Sequence, residues 1–328
     1  MMNIFIIILS LASVTLSNGT SAIQWLELQT GVRAIGMAGA QTAAGDDISS
    51  SLYNPANVSY IEGQQVFFNK TNYIADISHS FFGYGRQMTE LDVLGINIFF
   101  LDSGWIPETT DEANTGNDIG SLGNYKVYNF LANFSYARSI SDKFKVGLGL
   151  KYFREDIDNM YAQGLAFDFG AHYSVGLGIK LGLSINNVGP DVKFEGDGLQ
   201  QYVDDSVSPS GILMKSTGSF SLPQIVRLGI ESKVMGSDRM SLIANNLLGL
   251  SVAVDILKPI TDDMYAALGS ELSISEMFFV RLGSRINHDT ASFSFGLGLE
   301  YSNFKIDYSL SDYGDLGQTG QFGISLKF

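Results

Sequence analysis

The stretch Ser292-Phe293-Ser294-Phe295-Gly296-Leu297-Gly298-Leu299-Glu300-Tyr301 sets a large apolar side chain at every second position and Ser, Gly or Glu between them. Only an extended strand sends successive side chains to opposite faces; a helix would scatter these residues around its circumference. One face is therefore apolar and the other small or polar. The pattern recurs. Phe144, Val146, Leu148, Leu150 and Tyr152 alternate with Lys145, Gly147, Gly149 and Lys151. Leu177, Ile179, Leu181, Leu183 and Ile185 alternate with Gly178, Lys180, Gly182 and Ser184.

From about Gln64 onward the alternation predicts strands at 64–74, 77–87, 90–101, 123–140, 143–156, 162–175, 178–187, 222–234, 248–257, 263–273, 276–287, 290–301, 303–311 and 318–328. A soluble sandwich also alternates, so alternation alone does not choose the environment. Strand length does more, because roughly ten residues are what a tilted strand needs to cross a bilayer. Aromatic residues gather near strand ends, as Tyr125 and Tyr128, Tyr152 and Phe153, and Tyr301 and Phe304, which suits interfacial girdles. The chain stops at the end of an alternating row, Phe322, Ile324, Leu326 and Phe328. A final strand closing on an aromatic residue resembles the assembly signal of outer-membrane barrels. The expected fold is all-β: a transmembrane antiparallel barrel of about 14 strands over residues 64–328, located in the cell outer membrane. An even strand count puts both barrel ends on the periplasmic side, so the long gaps 102–122 and 188–221 face outward. The gap 235–247 departs from this rule, and a short helix or split strand is expected there.

Composition agrees with that reading. The 328 residues include 36 Gly, 22 Phe and 15 Tyr, only 16% are charged, and the mean hydropathy is +0.12. The one apolar run of helical character, Ile4 to Leu16, is shorter than the ~20 residues of a spanning helix. Followed by the small residues Thr20-Ser21-Ala22, it reads as a signal peptide over 1–22, with a mature start near Ile23. The absence of cysteine excludes a lipid-anchored N-terminal Cys and any Cys-based zinc or redox site. The net charge of −14 argues against nucleic acid, whose phosphates need clustered Lys and Arg. The acidity gathers in loop-like stretches such as Glu108 to Asp118 and Glu195 to Asp205.

Residues 23–63 differ in character, being rich in Gly, Ala and Ser without alternation. They contain Gly31-Val32-Arg33-Ala34-Ile35-Gly36-Met37-Ala38-Gly39-Ala40, then Asp46-Asp47, then Tyr53-Asn54-Pro55-Ala56. Pro55 restricts Asn54 to an extended or turn conformation. These motifs resemble the PorV/PorQ family, within the wider group of barrels like the long-chain fatty-acid transporter FadL. The family pattern is carried here by Gly31, Arg33, Gly36, Met37, Gly39, Asp46, Asp47, Asn54, Pro55 and Ala56, with departures at Ala38 and Asn57, where it has glycine. The likeness continues at Phe167-Asp168-Phe169-Gly170, Asn186-Asn187-Val188-Gly189-Pro190, Leu222-Pro223, Arg227-Leu228-Gly229 and Ile306-Asp307-Tyr308. It implies a barrel whose N-terminal segment sits in the lumen as a hatch, and a role as a carrier or scaffold in type IX-like secretion.

Catalytic and cofactor readings fare poorly. Gly147-Leu-Gly149, Gly176-Leu-Gly178 and Gly296-Leu-Gly298 lack the third glycine and the helix of a nucleotide loop. His79, His172 and His288 form no recognisable triad with a serine. The acidic pairs Asp46-Asp47, Asp204-Asp205 and Asp262-Asp263 lack the spaced ligands of a calcium loop, as does Asp111 to Leu122, and Asp46-Asp47 reads equally as a cap or turn. No enzyme chemistry, cofactor or metal is expected. Lys145, Lys151, Asp168, Lys180, Arg227, Glu231, Arg281, Lys305, Asp307 and Lys327 share the inward parity and are expected to pair with one another and with Arg33 and Asp46. The expected partners are outer-membrane lipid, the barrel-assembly machinery, and either secretion-system proteins or hydrophobic ligands. The functional readings are thus a secretion-associated carrier, a passive channel for hydrophobic small molecules and, less favoured, a lipid hydrolase.

Overall fold

In the computed structural model, residues 21–75, 77–108, 123–202, 212–237, 241–288 and 293–328 are described. Residues 1–20 of the expected signal peptide 1–22, Asp111 to Leu122 and Asp204-Asp205 lie outside them. Fourteen long strands follow one another in the order β1 Gln64–Asn72, β2 Ser78–Gln87, β3 Asp92–Asp102, β4 Val127–Ser139, β5 Phe144–Ile157, β6 Met160–Gly176 and β7 Ile179–Val188. The second half comprises β8 Ile225–Gly236, β9 Leu248–Pro259, β10 Tyr265–Ile274, β11 Phe278–Ile286, β12 Phe293–Tyr301, β13 Phe304–Asp312 and β14 Gln318–Lys327. Each pairs antiparallel with its sequence neighbours, β7 meets β8 across the long connection between them, and β1 meets β14. The barrel is closed. Gln65 faces Lys327 at one end of that seam and Asn72 faces Gly320 at the other, while Gln64 and Phe328 exchange backbone hydrogen bonds of 3.0 and 2.8 Å.

The burial pattern shows why this sequence makes a barrel in lipid. Phe82, Ile96, Ile98, Phe134, Leu148, Phe169, Ile230, Leu282 and Phe322 point outward and are exposed, whereas their neighbours Asn97, Asn133, Ser135, Asp168, Glu231, Arg281 and Gln321 point inward and are buried. This inverts the arrangement of a soluble protein. The outer face is matched to hydrocarbon, and closure satisfies the strand edges that hydrocarbon would leave unpaired.

Two details differ from the expectation, and a third meets it. Phe153, grouped with Tyr152 at the girdle, is fully buried in the lumen, because adjacent strand residues face opposite ways. Asn124-Tyr125 leaves the expected fourth strand and pairs with Ile106-Pro107 in a small separate hairpin. The 235–247 gap holds a two-residue strand, Ile243–Ala244, lying parallel to the end of β8.

The N-terminal segment lies inside the barrel. It comprises α1 Val32–Gly36 and three 3-10 turns, Gln24–Glu27, Ile48–Leu52 and Pro55–Tyr60. Wall glycines make room for it. A Cβ at Gly182 would fall on the backbone at Thr42 and Ala43, one at Gly229 on the Asp255 carboxylate, the Thr42 side chain and the Ala43 amide, one at Gly147 on the Pro55-Ala56 peptide, and one at Gly283 on that of Met37-Ala38. Gly182→Val should therefore push the hatch off the wall and cost about 1–3 kcal/mol, the range for overpacking, read as a lower denaturation midpoint of the folded barrel. Deleting Phe328 should lower the yield of heat-modifiable folded protein in the outer membrane, since the closing seam loses its last backbone pair; unchanged assembly would remove the terminal residue from that role.

Candidate functional site: the lumen and its hatch

The ends of the barrel can be told apart. β1 begins and β14 stops at the same end, the periplasmic end in bacterial barrels, and β3 and β7, which precede the long connections 103–126 and 189–224, stop at the other. The hatch threads the lumen from top to bottom. At the extracellular end Ile23 and Trp25 are buried in the apolar cluster that includes Leu222, and at the periplasmic end Tyr60 leads through Gly63 into β1.

The first turn of the hatch plants Trp25 flat on Phe99, with centroids 5.8 Å apart and planes 8° from parallel. Phe81, Leu131, Phe153 and Leu222 complete the surrounding cluster, which continues down the β1–β6 side to Val93, Val58 and Ile48. Across the lumen the walls are charged.

The hatch motif is built from backbone constraints and one arginine. Gly31 stands at φ +86°, where a Cβ would also strike Ser49. Ala38, one of the two departures from the family pattern, sits at φ +54°, a left-handed conformation that glycine adopts without strain. Asn57, the other departure, uses its amide to donate to the Gln41 and Ser50 carbonyls at 3.0 Å each. Gly36 lies against Gly296 and Arg281, and Met37 against Gly269. Asp47 is an N-cap: its carboxylate accepts from the Ser50 amide at 2.9 Å and the Ser49 hydroxyl at 2.6 Å. Asn54 caps the next turn by accepting from the Ala56 amide at 3.0 Å, while its own amide donates to the Thr42 carbonyl at 2.8 Å. These caps explain why short polar residues precede the Ile48–Leu52 and Pro55–Tyr60 turns.

Arg33 joins the hatch to the wall. Its Nε and Nη2 each donate at 3.0 Å to the Glu271 carboxylate on β10, and its Nη1 donates to the Ala44 carbonyl at 2.7 Å and to Gln41 Oε1 at 3.2 Å. Asp46 stands 3.5 Å from the same Nη1. Glu271 also accepts from Arg281 Nε at 2.6 Å, and Arg281 Nη1 donates to Asp307 at 2.6 Å. Burial opposes the Arg33 charge, but Glu271 and Asp46 outweigh it and hold the guanidinium well above its ordinary value. Asp46 lies deep in the barrel, which opposes its charge although its side chain faces cavities, and Arg33 outweighs that opposition, so the carboxyl is held low. Burial and then Asp46 push Asp47 up.

Other inward charges pair across neighbouring strands. Lys151 meets Asp168 at 2.7 Å with both side chains buried, and Lys151 also donates to Asn187 at 2.7 Å. Lys180 meets Glu231 at 2.6 Å, and Lys305 and Lys327 meet Glu300 at 3.2 and 2.9 Å. Arg227 lies over the Tyr53 ring at 5.3 Å, and Lys145 over Tyr60 at 3.6 Å. Asp255 accepts from the amides of Gln41 and Thr42 at 2.9 and 2.8 Å. His172 is hydrogen-bonded to Asn57 at 2.5 Å, His79 packs between Tyr73 and Phe99, and His288 sits on Tyr265 next to Arg285. Sequence reading missed Glu271, Asp255 and Trp25. Glu271 shares its strand face with Ala267 and Gly269, both of which face the lumen, so strand parity points to it.

Toward the periplasm the hatch is bordered by three cavities of about 180, 290 and 340 Å³, and Asp46 lines all of them. More than half of its side chain, 58%, is exposed to them, against 7% for Arg33.

No known family model matches the sequence, and no curated protein matches it either. Solved structures do. The toluene transporter TbuX of Ralstonia pickettii superposes with a TM-score of 0.60 at 14% identity, covering 92% of this chain and 99% of that one. The toluene transporter TodX of Pseudomonas putida gives 0.60 at 12% identity over 90% and 96% of the two chains. A FadL homologue of Pseudomonas aeruginosa gives 0.57 at 13% identity over 94% and 100%. The chain thus has the closed 14-strand fold of FadL-like outer-membrane barrels, and its apolar outer face is matched to a lipid bilayer.

One hatch group ties docking to pH. Burial raises Glu27 from its ordinary 4.5 to about 7, with Arg227 partly opposing the shift. A carboxyl whose value is raised on docking favours the docked state fully at pH below about 4.5, and that contribution is lost as pH rises through about 7. The hatch N-terminus should therefore loosen between those limits, read as growing acrylamide quenching of Trp25 in a Trp105→Phe background. Glu27→Gln should flatten this part of the profile; an unchanged profile would clear Glu27 of the effect.

Proposed function

We propose that this chain is an outer-membrane channel for passive uptake of hydrophobic small molecules, with the hatch as its gate. The observation that carries the reading is the apolar cluster of Trp25, Phe81, Phe99, Leu131, Phe153 and Leu222 inside a lumen whose opposite wall is charged. Such a surface is costly to expose to water and favours an apolar solute. The likeness to toluene transporters supports the same reading at the level of fold. A filled lumen leaves no passage for a folded protein, so a secretion-associated role of the PorV/PorQ kind would use the loops and outer rim; it rests on the sequence resemblance alone. Residues 1–22 as a cleaved signal belong to the same proposal.

Cells whose outer membrane carries the chain should take up radiolabelled toluene several-fold faster than cells with an empty vector. In planar bilayers the wild type should conduct ions poorly, and deletion of residues 28–52 should raise conductance sharply. Equal toluene uptake in the two strains would remove the channel reading, and a wide open wild-type pore would remove the gate.

A further inference from the structure

Five charges of alternating sign run from the barrel wall into the hatch: Asp307, Arg281, Glu271, Arg33 and Asp46. The successive contacts are 2.6, 2.6, 3.0 and 3.5 Å. The chain crosses from wall to hatch at one place, between Glu271 and Arg33. Among the described residues this is the ion pair that joins hatch to wall; the charged wall groups Asp255, Arg285 and Lys145 hydrogen-bond to hatch backbone, and neutral side-chain ties such as Asn97 to Ser51 and His172 to Asn57 carry no ion pair.

A buried ion pair ordinarily resists separation because each partner is left as an uncompensated charge. Here neither would be. Arg33 has Asp46, the Ala44 carbonyl and Gln41, all on the hatch. Glu271 has Arg281, which stays on the wall. The hatch half, Arg33 with Asp46, is formally neutral. Two of the periplasmic cavities are lined by Arg33, Asp46 and Glu271 together, so they abut the contact, and water can reach both halves as they part.

We infer that the Arg33–Glu271 contact is the release point of the hatch, and that Asp46 is the travelling counter-ion that lets Arg33 leave the wall. This rests on the channel reading, in which the hatch must move. The alternation of charge makes the pair a latch with two satisfied states. Asp46 sits within reach of Arg33 but without the forked geometry that Glu271 enjoys, so it is the weaker partner while the latch is closed and the sole carboxylate partner once it opens.

The two carboxylates therefore have opposite roles, and neutralising them should have opposite effects. Hydrogen–deuterium exchange of the purified full-length protein in lipid nanodiscs reads hatch opening without any ligand. Glu271→Gln should speed exchange of amides 32–44 by about tenfold, because Arg33 loses its wall partner. Asp46→Asn should slow it several-fold below wild type, because Arg33 has no counter-ion to leave with. Arg33→Lys, which keeps the charge and loses the fork, should fall between wild type and Glu271→Gln. Amides of β5 should not change in any variant, which certifies the barrel. Faster exchange in Asp46→Asn, or no acceleration in Glu271→Gln with β5 intact, would overturn the latch. If Glu271→Gln fails to fold, the sign of the Asp46→Asn effect decides alone. Toluene uptake is a separate measurement, so a chain that carries no hydrocarbon would still report on the latch, and a failed latch would leave the uptake result standing.

Discussion

A backbone N–H or C=O left without a partner in hydrocarbon costs several kcal/mol, and the seam between β1 and β14 is where this chain meets that demand. Everything else follows from closing fourteen strands. A barrel of that width cannot be filled by its own wall side chains as an eight-stranded one can, so either water or a further segment must occupy it. The segment is supplied from the same chain, directly before β1. Its backbone approaches the wall at Gly147, Gly182, Gly229 and Gly283, positions where a side chain would collide with it. The glycine content that makes the sequence look weakly specified is thus part of the packing between two layers.

The lumen is divided from side to side. Along β1–β6 the hatch rests on an apolar cluster, which holds it through burial, without direction. Along β7–β13 it rests on charges and backbone hydrogen bonds, which hold it at particular atoms. The first surface is apolar and non-directional, which is the ground of the channel proposal. The second fixes where the hatch sits. Placing the ion pairs beside periplasmic cavities keeps them near water, which lowers the penalty of separating them relative to a dry interior.

The sequence by itself determined the strands, their inward and outward faces and the odd character of residues 23–63. Strand periodicity is local: the parity of Phe293 to Tyr301 can be read from ten letters because each side chain reports its own face. The same parity marked Lys151, Asp168, Lys180, Glu231, Arg281 and Asp307 as lumen residues, and they lie there. Composition misleads where parity does not: Phe153 is aromatic like the girdle residues, but it lies on the face opposite Tyr152 and is buried in the lumen. Only the tertiary structure decided which lumen groups meet. Arg33 and Glu271 are 238 positions apart, and their contact depends on barrel closure, on the register of β10 and on the path of the hatch, none of which is written in a local pattern. Trp25 on Phe99 is of the same kind, since nothing near either residue announces the other. Faces are set by the pleat of a single strand, whereas partners are set by the summed registers of the whole barrel, and that sum exists only once it has closed.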